Sequence, residues 1–342
     1  MIRDYMHAGI AQFDNLQILN FKTTFNEVFV HNGTVLLANL GKNARKIKMS
    51  VVPSIPIHRT VSGDYFYWYT TPLMNYYHCI NDGLGPIYNY LQLKEQNPKL
   101  KFMLNPDPRT IAVHPPFVTE LLDLLNIEYE FSDENCLYEH VYFSDTLVQD
   151  VSGKRCRPSA GVYEMADKLI QVSRSLYPDV PHHDKVYLSR RAHANPLNDR
   201  KTVIGEDNTI KRGITNEDDL VDILTGLGYT EVFGENYNLG EKISMFSHMT
   251  KYISTAGAGV TNILWRMGQT LSVGGIHTPG FPFPSKSHNR HIVVGAPWMD
   301  GVDISLYSGK VLFVDPAAGL QDYNNPWYVD NLEKFKSWAA SI

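Results

Sequence analysis

Hydrophobic positions recur along this chain in short runs of strand length, separated by stretches with the three- and four-residue spacing of amphipathic helices. In the first half, these runs predict strands at residues 16–21, 26–31, 34–40, 65–71, 100–104 and 127–131, and shorter pieces within 137–149. Asn32-Gly33, between two of the runs, is a strong signal for a hairpin turn. The helical spacing predicts helices at residues 75–95, 116–126 and 161–177.

From residue 185 onward the alternation of strand and helix patterns becomes regular, which is typical of a parallel, doubly wound sheet. It predicts strands at residues 185–189, 229–233, 251–255 and 270–273, and helices at 216–227, 240–249 and 259–267. Thr215 and Asp218 are spaced as a capping box at the start of the first of these helices. Residues 328–341 predict a terminal amphipathic helix.

The length of 342 residues exceeds a comfortable single core, so we predict two α/β domains joined by a linker at residues 178–184. The predicted boundaries are 1–180 for the N-terminal α/β domain, 181–325 for a Rossmann-like C-terminal domain and 326–342 for the terminal helix. Ligands of doubly wound sheets bind beyond the carboxyl ends of the strands. With two such domains facing each other, we expect the site in the cleft between them.

Charge and composition narrow the range of partners. The net charge of −5, without any basic run, argues against nucleic acid or an anionic membrane surface. No apolar stretch reaches the roughly 20 residues needed to cross a bilayer, and the N-terminal residues lack the core of a signal peptide. We therefore expect a soluble, cytoplasmic protein. Cys79, Cys136 and Cys156 have no metal-ligand spacing and are interpreted as thiols in a reducing compartment.

The first candidate for chemistry is a glycine turn at residues 255–262, Thr-Ala-Gly-Ala-Gly-Val-Thr-Asn, which follows an apolar strand and opens a helix. Gly257 and Gly259 would let main-chain N–H groups approach a ligand closely, and a helix N-terminus favours an anion. Thr261 and Asn262 would add side-chain hydrogen bonds. The alternative is a tight turn in which glycine serves only packing.

The second candidate is Ser189-Arg190-Arg191, at the end of the strand predicted at 185–189. An arginine directly after a strand points towards the ligand side of such a sheet, and its guanidinium fork matches phosphate oxygens. Arg212 supplies another basic group beyond the intervening loop. The alternative is solvated surface arginines, the commonest fate of this residue, and the strand-end position distinguishes Arg190 from the others.

The third candidate is the pair His78 and Asp82, which lie at positions i and i+4 and share one face if residues 75–85 are helical. A carboxylate beside an imidazole is a plausible general base with an orienting partner. The alternative is a structural hydrogen bond. The chain contains no Asp-x-Asp, His-Glu-x-x-His or Gly-x-Ser-x-Gly, so metal-dependent and serine-hydrolase chemistry lose their usual sequence support.

Taken in order, these pieces resemble glycosyltransferase family 61 over about residues 70–275. The motifs that carry the resemblance are Asn75-Tyr76-Tyr77-His78-x-x-x-Asp82, Val186-Tyr187-Leu188-Ser189-Arg190-Arg191, Arg212-x-x-x-Asn216-Glu217, Glu241-x-Ile243-x-x-Phe246-Ser247 and Gly257-Ala-Gly-Val-Thr-Asn262. That family includes plant xylosyl- and arabinosyltransferases that decorate xylan. It also includes animal transferases that add N-acetylglucosamine to proteins or to O-mannose.

The resemblance implies the GT-B fold of two Rossmann-like domains, an inverting mechanism, no required metal or other cofactor, and a UDP-sugar bound by the C-terminal domain. Asp82 would then be the base, with His78 orienting it or contacting the acceptor, or the two roles would be reversed. Arg190 would clamp the diphosphate, which Gly257, Ala258, Gly259 and Thr261 cradle with Asn262 beside them. Further donor contacts would come from Arg191, Arg212 and Glu217, the last through a ribose or sugar hydroxyl.

The function predicted from these observations is transfer of a sugar from a UDP-sugar to a hydroxyl of a glycan or glycoprotein acceptor. Xylose is the first expectation for the sugar and N-acetylglucosamine the second, both by the resemblance. The absence of the membrane anchor common in eukaryotic members indicates a microbial or viral setting. Two other classes remain open: a non-catalytic nucleotide-sugar or glycan-binding protein on the same scaffold, and a sugar-phosphate isomerase or epimerase.

Overall fold

The computed structural model describes residues 10–19, 28–31, 34–37, 56–68, 76–81, 83–104, 115–132, 136–144, 148–151, 155–158, 160–191, 214–255, 257–266, 269–277, 307–313, 315–316 and 327–342. Two compact units emerge from the contacts within the chain, residues 1–149 with 158–165 and residues 150–157 with 166–342. This division falls within a helix upstream of residue 180. The domain boundary at residue 180 stays a prediction.

The first unit contains a seven-stranded mixed sheet with strand order β3-β2-β1-β7-β4-β5-β6. The strands are β1 (Ile10–Leu19), β2 (Val28–His31), β3 (Thr34–Leu37), β4 (Arg59–Trp68), β5 (Lys101–Leu104), β6 (Tyr129–Phe131) and β7 (Cys136–Ser144), and the helices are α1 (Tyr76–Asn81), α2 (Leu84–Gln96) and α3 (Pro116–Leu124). Strands β4 to β7 run parallel, whereas β1 is antiparallel to both β2 and β7. The antiparallel pairing of β2 with β3 confirms the predicted hairpin.

Aromatic side chains fill both faces of this sheet because the residues of β4 alternate between them. Tyr65 and Tyr67 lie in one buried cluster with residues of β1 and β7. On the other face, Phe66 stacks on Phe102 of β5 with ring centroids 5.8 Å apart, and Tyr90 of α2 meets Phe102 edge to face at 4.7 Å. The first unit is therefore an α/β layer structure with α2 packed on its sheet.

The second unit contains a five-stranded, fully parallel sheet with strand order β11-β10-β12-β13-β14. Its strands are β10 (Lys185–Leu188), β11 (Thr230–Val232), β12 (Lys251–Thr255), β13 (Leu271–His277) and β14 (Tyr307–Phe313), and its helices are α5 (Glu217–Gly226), α6 (Leu239–Phe246) and α7 (Leu332–Ala340). Short 3₁₀ helices span Gly234–Asn236 and Ala258–Arg266. The remaining elements are the paired strands β8 (Val148–Val151) and β9 (Arg155–Pro158), the helix α4 (Ala160–Leu176), and the paired strands β15 (Asp315–Pro316) and β16 (Trp327–Tyr328).

Helices cover both faces of the parallel sheet. On one face, Tyr187 and Ile253 form a cluster with Leu220 of α5 and Phe335 of α7. On the other face, Tyr252 of β12 meets Phe246 of α6, with ring centroids 6.0 Å apart. This is the doubly wound architecture that the alternation of the second half predicts. The mixed α/β class is confirmed, and the GT-B arrangement across a cleft stays a prediction.

Several local predictions differ from the structure. The helix predicted at residues 75–95 is two helices, α1 and α2, and the helix predicted after β12 is the 3₁₀ helix Ala258–Arg266. The Thr215–Asp218 capping box is wrong, because Asn216 is the N-cap of α5 and no side chain caps it. Instead, the Asn216 amide exchanges two hydrogen bonds with the main chain of Val329, which ties the start of α5 to the segment before α7.

The segment predicted to be a linker, residues 178–184, lies within the second unit and contacts the start of β12. His182 stacks on His248 with ring centroids 3.6 Å apart and planes 19° from parallel, and Asp184 accepts main-chain hydrogen bonds from Thr250 and Lys251. Burial, followed by the nearby charges of Arg174, the stacked ring and Arg266, lowers the pKa of His248 from 6.5 to about 4. The folded protein therefore keeps this ring neutral in mild acid.

We expect the melting temperature to fall as the pH drops from about 6.5 to about 4.5. In this window the unfolded chain binds a proton at His248, whereas the folded ring stays neutral down to a pKa of about 4, so acid favours unfolding. The contribution is on the order of 1 kcal/mol, because solvent screens a ring that is only partly buried. Melting curves of the wild type and His248→Gln across the window measure it, and an equally steep decline in both proteins would contradict the assignment to His248.

Within the described residues, no helix is both long and apolar enough to cross a membrane.

Candidate functional site

The candidate site lies at the carboxyl edge of the parallel sheet, where β10 and β12 end side by side. Leu188 of β10 pairs with Ser254 of β12 in parallel register, so the segments that follow the two strands are neighbours. The chain places β11 on one side of β10 and then β12, β13 and β14 on the other side. The strand order therefore reverses between β10 and β12, which is the switch point of the sheet. In open α/β sheets, ligands bind in the crevice at this point.

The glycine turn follows β12 and opens the 3₁₀ helix. Gly257 has a φ of 155°, and Gly257, Ala258 and Gly259 are all half-buried. The first N–H groups of a helix have no acceptor within the helix, so the main-chain groups of this turn are suited to binding an anion. The turn lies at the carboxyl edge of the sheet, and its role in phosphate binding stays a prediction.

Gly259 also has a packing role. A Cβ atom at Gly259 would lie 2.4 Å from Cδ2 of Leu188, and the Tyr252 hydroxyl donates a 2.7 Å hydrogen bond to the Gly259 carbonyl oxygen. The absence of a side chain at residue 259 therefore lets the turn approach the end of β10 without displacing the Leu188 side chain. The packing interpretation applies to Gly259, and it brings the turn against the strand that Arg190 follows.

Thr261 and Asn262 lie beneath the turn. Both residues are buried, with exposed fractions of 0% and 2%. These positions favour a role in holding the turn from inside the unit. Direct contact of either side chain with a donor stays a prediction.

Arg190 is half-buried, and its main-chain N–H donates a 3.0 Å hydrogen bond to Glu217. Burial raises the pKa of the Tyr252 hydroxyl, and the nearby positive charge of Arg190 acts in the opposite direction. Leu188 of β10 pairs with Ser254 of β12 and its Cδ2 lies 2.4 Å from where a Cβ atom of Gly259 would stand, so the segment that carries Arg190 lies beside the glycine turn. The structure therefore brings together the two features that the sequence singled out for phosphate binding.

Arg191 is bound to carboxylates of its own unit. Its Nε donates a 2.8 Å hydrogen bond to Glu231 of β11, Nη2 donates to the other oxygen of Glu231, and Nη1 donates to Asp218 of α5. The hydrogen bonds and charge of these carboxylates raise the pKa of Arg191 above its ordinary value, against the effect of burial. These bonds favour a structural role for Arg191, and its contact with a donor stays a prediction.

Glu217 is the most buried acidic residue among those described, with an exposed fraction of 3%. Its Oε1 accepts hydrogen bonds from the Tyr187 hydroxyl at 2.7 Å, the Ser189 hydroxyl at 2.8 Å and the Arg190 main-chain N–H at 3.0 Å. Burial, followed by the charge of Glu217, raises the pKa of Tyr187 well above its ordinary value. The predicted ribose or sugar contact of Glu217 is untested, and this carboxylate binds β10 and the turn after it.

The structure gives no side-chain position for three of the residues selected from the sequence. Asp82 and Arg212 fall outside the described residues, and only the main chain of His78, within α1, is described. The roles of His78 and Asp82 in acid–base chemistry and of Arg212 in donor binding stay predictions.

A family model described as Glycosyltransferase 61 matches residues 76–273, from the start of α1 into β13. The match covers more than half of the chain and includes both strands of the candidate site. The chain belongs to the glycosyltransferase 61 family. The predicted membership is confirmed, and with it the expectation of a glycosyltransferase. No curated protein matches the chain.

Two residues of this glycosyltransferase contribute to the site without having been selected from the sequence. Tyr252 supports the glycine turn, and Glu231 binds Arg191. The sequence could have indicated that both residues form polar contacts. A tyrosine hydroxyl in a buried strand and a carboxylate within a short strand each need a hydrogen-bonding partner. The identity of those partners depends on strand order, which the sequence pattern alone does not specify.

Among the described residues of the glycosyltransferase, no group of three or more His, Cys, Asp or Glu side chains is arranged to hold a metal ion. The expectation that transfer needs no metal stays a prediction and rests on the resemblance.

Proposed function

We propose that this glycosyltransferase moves a sugar from a UDP-sugar to a hydroxyl of a glycan or glycoprotein acceptor, with inversion and without a metal ion. The observation that carries the proposal is the switch point of the parallel sheet. There Arg190 and the half-buried glycine turn follow two adjacent strands, β10 and β12. This combination suits a diphosphate, whose charge grows as the glycosidic bond breaks.

The leaving diphosphate is proposed to be stabilised by two kinds of donor. The guanidinium of Arg190 supplies a full positive charge and two parallel N–H groups, which match phosphate oxygens. The main-chain N–H groups of Gly257, Ala258 and Gly259 supply fixed dipoles at the start of a helix. Such preorganised groups stabilise developing charge without reorganising during the reaction. We propose that the guanidinium and the main-chain N–H groups together take the place of a metal ion at the diphosphate. The absence of Asp-x-Asp from the sequence supports this proposal.

Inversion requires in-line attack by an acceptor hydroxyl and a base to take its proton. We assign that role to Asp82, with His78 orienting it or contacting the acceptor, and the reverse assignment is the alternative. The support for both residues is their motif, Asn75-Tyr76-Tyr77-His78-x-x-x-Asp82, which lies within the family match from Tyr76 onward. Asp82→Asn protein that binds the donor normally and transfers sugar at the wild-type rate would remove Asp82 from this role.

The sugar is proposed to be xylose, with N-acetylglucosamine as the second choice. The support is the resemblance to family members that transfer these sugars. The two candidates differ by the hydroxymethyl group at C5 and the acetamido group at C2, and a pocket discriminates such groups by shape and by the hydrogen bonds that it offers. The acceptor is accordingly defined only as a hydroxyl of a glycan or a glycoprotein.

The test is slow hydrolysis of a panel of nucleotide sugars by the purified protein in the presence of EDTA. Release of nucleotide from UDP-xylose, with weaker release from the other donors, is the expected result. The anomeric configuration of a transfer product, in which the new glycosidic bond cannot mutarotate, reports inversion by NMR. Binding of UDP without turnover of any donor would favour the non-catalytic alternative. The proposed function would be overturned if no donor released nucleotide and neither UDP nor GDP raised the melting temperature.

A further inference from the structure

The first turn of α5 holds a carboxylate inside the protein. Glu217 is 3% exposed, although an ionised carboxylate is costly to bury unless hydrogen bonds replace its lost water. Three donors meet that need at a single oxygen, Oε1, at distances of 2.7, 2.8 and 3.0 Å. Such convergence on one acceptor fixes the donors relative to each other as well as to the helix.

All three donors belong to one short segment of the chain. The Tyr187 hydroxyl comes from β10, the Ser189 hydroxyl from the residue after the strand, and the N–H from the main chain of Arg190. The Ser189 hydroxyl also accepts a 3.1 Å hydrogen bond from the main-chain N–H of Arg191. Since the main-chain atoms of Arg190 determine where its side chain begins, the carboxylate of Glu217 limits the directions that this guanidinium can take.

The neighbouring residues form a second contact between the same two elements. Arg191 follows Arg190 in the turn, and Asp218 follows Glu217 in α5. Asp218 accepts a hydrogen bond from Nη1 of Arg191, whose Nε and Nη2 donate to Glu231 of β11. Two consecutive acidic residues of α5 thus anchor two consecutive arginines, one through its main chain and the other through its side chain. The two contacts together fix the main chain of the turn from which the Arg190 side chain extends.

We propose that Glu217 is a positioning residue, which orients Arg190 for the diphosphate of the donor by holding the Ser189–Arg191 turn and does not itself contact the donor. The proposal rests on the proposed function, because it takes Arg190 as the diphosphate clamp. It assigns Glu217 a role different from the ribose or sugar contact that the resemblance implies.

The test is a double-mutant cycle between Glu217 and Arg190, read as the affinity for UDP by isothermal titration calorimetry. The variants are Glu217→Ala and Glu217→Gln, each made in the wild type and in Arg190→Lys. A lysine keeps the charge on a flexible stem and has no fork to orient, so binding stays measurable and becomes insensitive to the turn. Asp219→Asn is the matched control, because it removes the same charge from an exposed position in the same helical turn.

We expect Glu217→Ala to weaken UDP binding about tenfold in the wild-type background and less than about twofold in Arg190→Lys. Glu217→Gln keeps an amide oxygen that can accept these bonds, so it should recover part of the affinity, and Asp219→Asn should have no effect. Melting curves establish that each variant is folded, and if Glu217→Ala is not folded, Glu217→Gln carries the same comparison.

Two other outcomes are distinguishable. Equal losses in both backgrounds would show that Glu217 acts on the donor directly or through the fold, and would overturn this inference while leaving the proposed function intact. Failure of the wild type itself to bind UDP or GDP would overturn both.

Discussion

Replacing Arg190 by alanine is expected to lower nucleotide release from the donor about 100-fold or more, with little change in the melting temperature. The guanidinium is the full charge that we assign to the leaving diphosphate, and loss of one preorganised donor of this kind typically costs two to three orders of magnitude in rate. Stability should change little, because the Arg190 main-chain N–H that binds Glu217 is retained in alanine. Steady-state release of UDP and a melting curve on the same sample measure the two effects.

Two control variants sharpen this prediction. Lys168→Ala removes an exposed cation from the same unit and should leave both readouts unchanged. Arg191→Ala should instead lower the melting temperature, because it leaves the carboxylate of Glu231, 14% exposed, without its arginine partner. The two alanine variants are thus expected to differ in effect: Arg190→Ala lowers turnover, and Arg191→Ala lowers stability. Wild-type turnover in Arg190→Ala would contradict the assignment of the diphosphate clamp.

Gly83→Ala is expected to produce the largest loss of stability, about 3 kcal/mol in the free energy of unfolding. Gly83 lies between α1 and α2, where an added Cβ atom would stand 2.1 Å from the Cys79 carbonyl oxygen and 2.7 Å from Cζ2 of Trp68. A main-chain carbonyl inside the unit and a fully buried indole have little room to yield, so the junction between the helices must shift. A urea titration followed by circular dichroism measures the change.

The matched control is Gly226→Ala, at the exposed end of α5, where an added Cβ atom would meet nothing within 4 Å. Alanine is a better helix residue than glycine, so this variant should be stabilised by about 0.5 to 1 kcal/mol. Equal unfolding midpoints for the two variants would contradict the close contact at Gly83. Because residue 83 directly follows Asp82, Gly83→Ala should also lower transfer activity at temperatures where the variant remains folded.

The elements that the sequence predicted best are those whose signal is local. Strand β12 lies at the predicted residues 251–255, and β10 ends within one residue of its predicted end, because each is a short apolar run with clear boundaries. The same local pattern placed Arg190 and the glycine turn after these strands. Their meeting at one edge could be predicted because parallel strands of a doubly wound sheet present their carboxyl ends together.

The features that the sequence did not predict depend on contacts between distant residues. At Gly83, between α1 and α2, the main chain approaches Trp68 and the Cys79 carbonyl oxygen closely, and no local spacing encodes this contact. Glu217 could be found by its motif, but its hydrogen bonds to β10 depend on how α5 packs. Strand β14 was missed altogether, although it pairs in parallel with β13 over seven residues. In each case tertiary packing decides the structure.

The strand order of the first unit also bears on how the chain folds as it leaves the ribosome. Strand β7 lies between β1 and β4 and pairs with both, joining Ile10 to Ser144 and Arg59 to Cys136. Strands β1 and β4 therefore cannot form this pairing until β7 has been synthesised, much later than either of them. At a synthesis rate of about 5–20 residues per second, that delay lasts several seconds or more. During it, β1 and β4 lack their central neighbour, so nascent chains halted before residue 136 should be more sensitive to protease than chains that extend past residue 144.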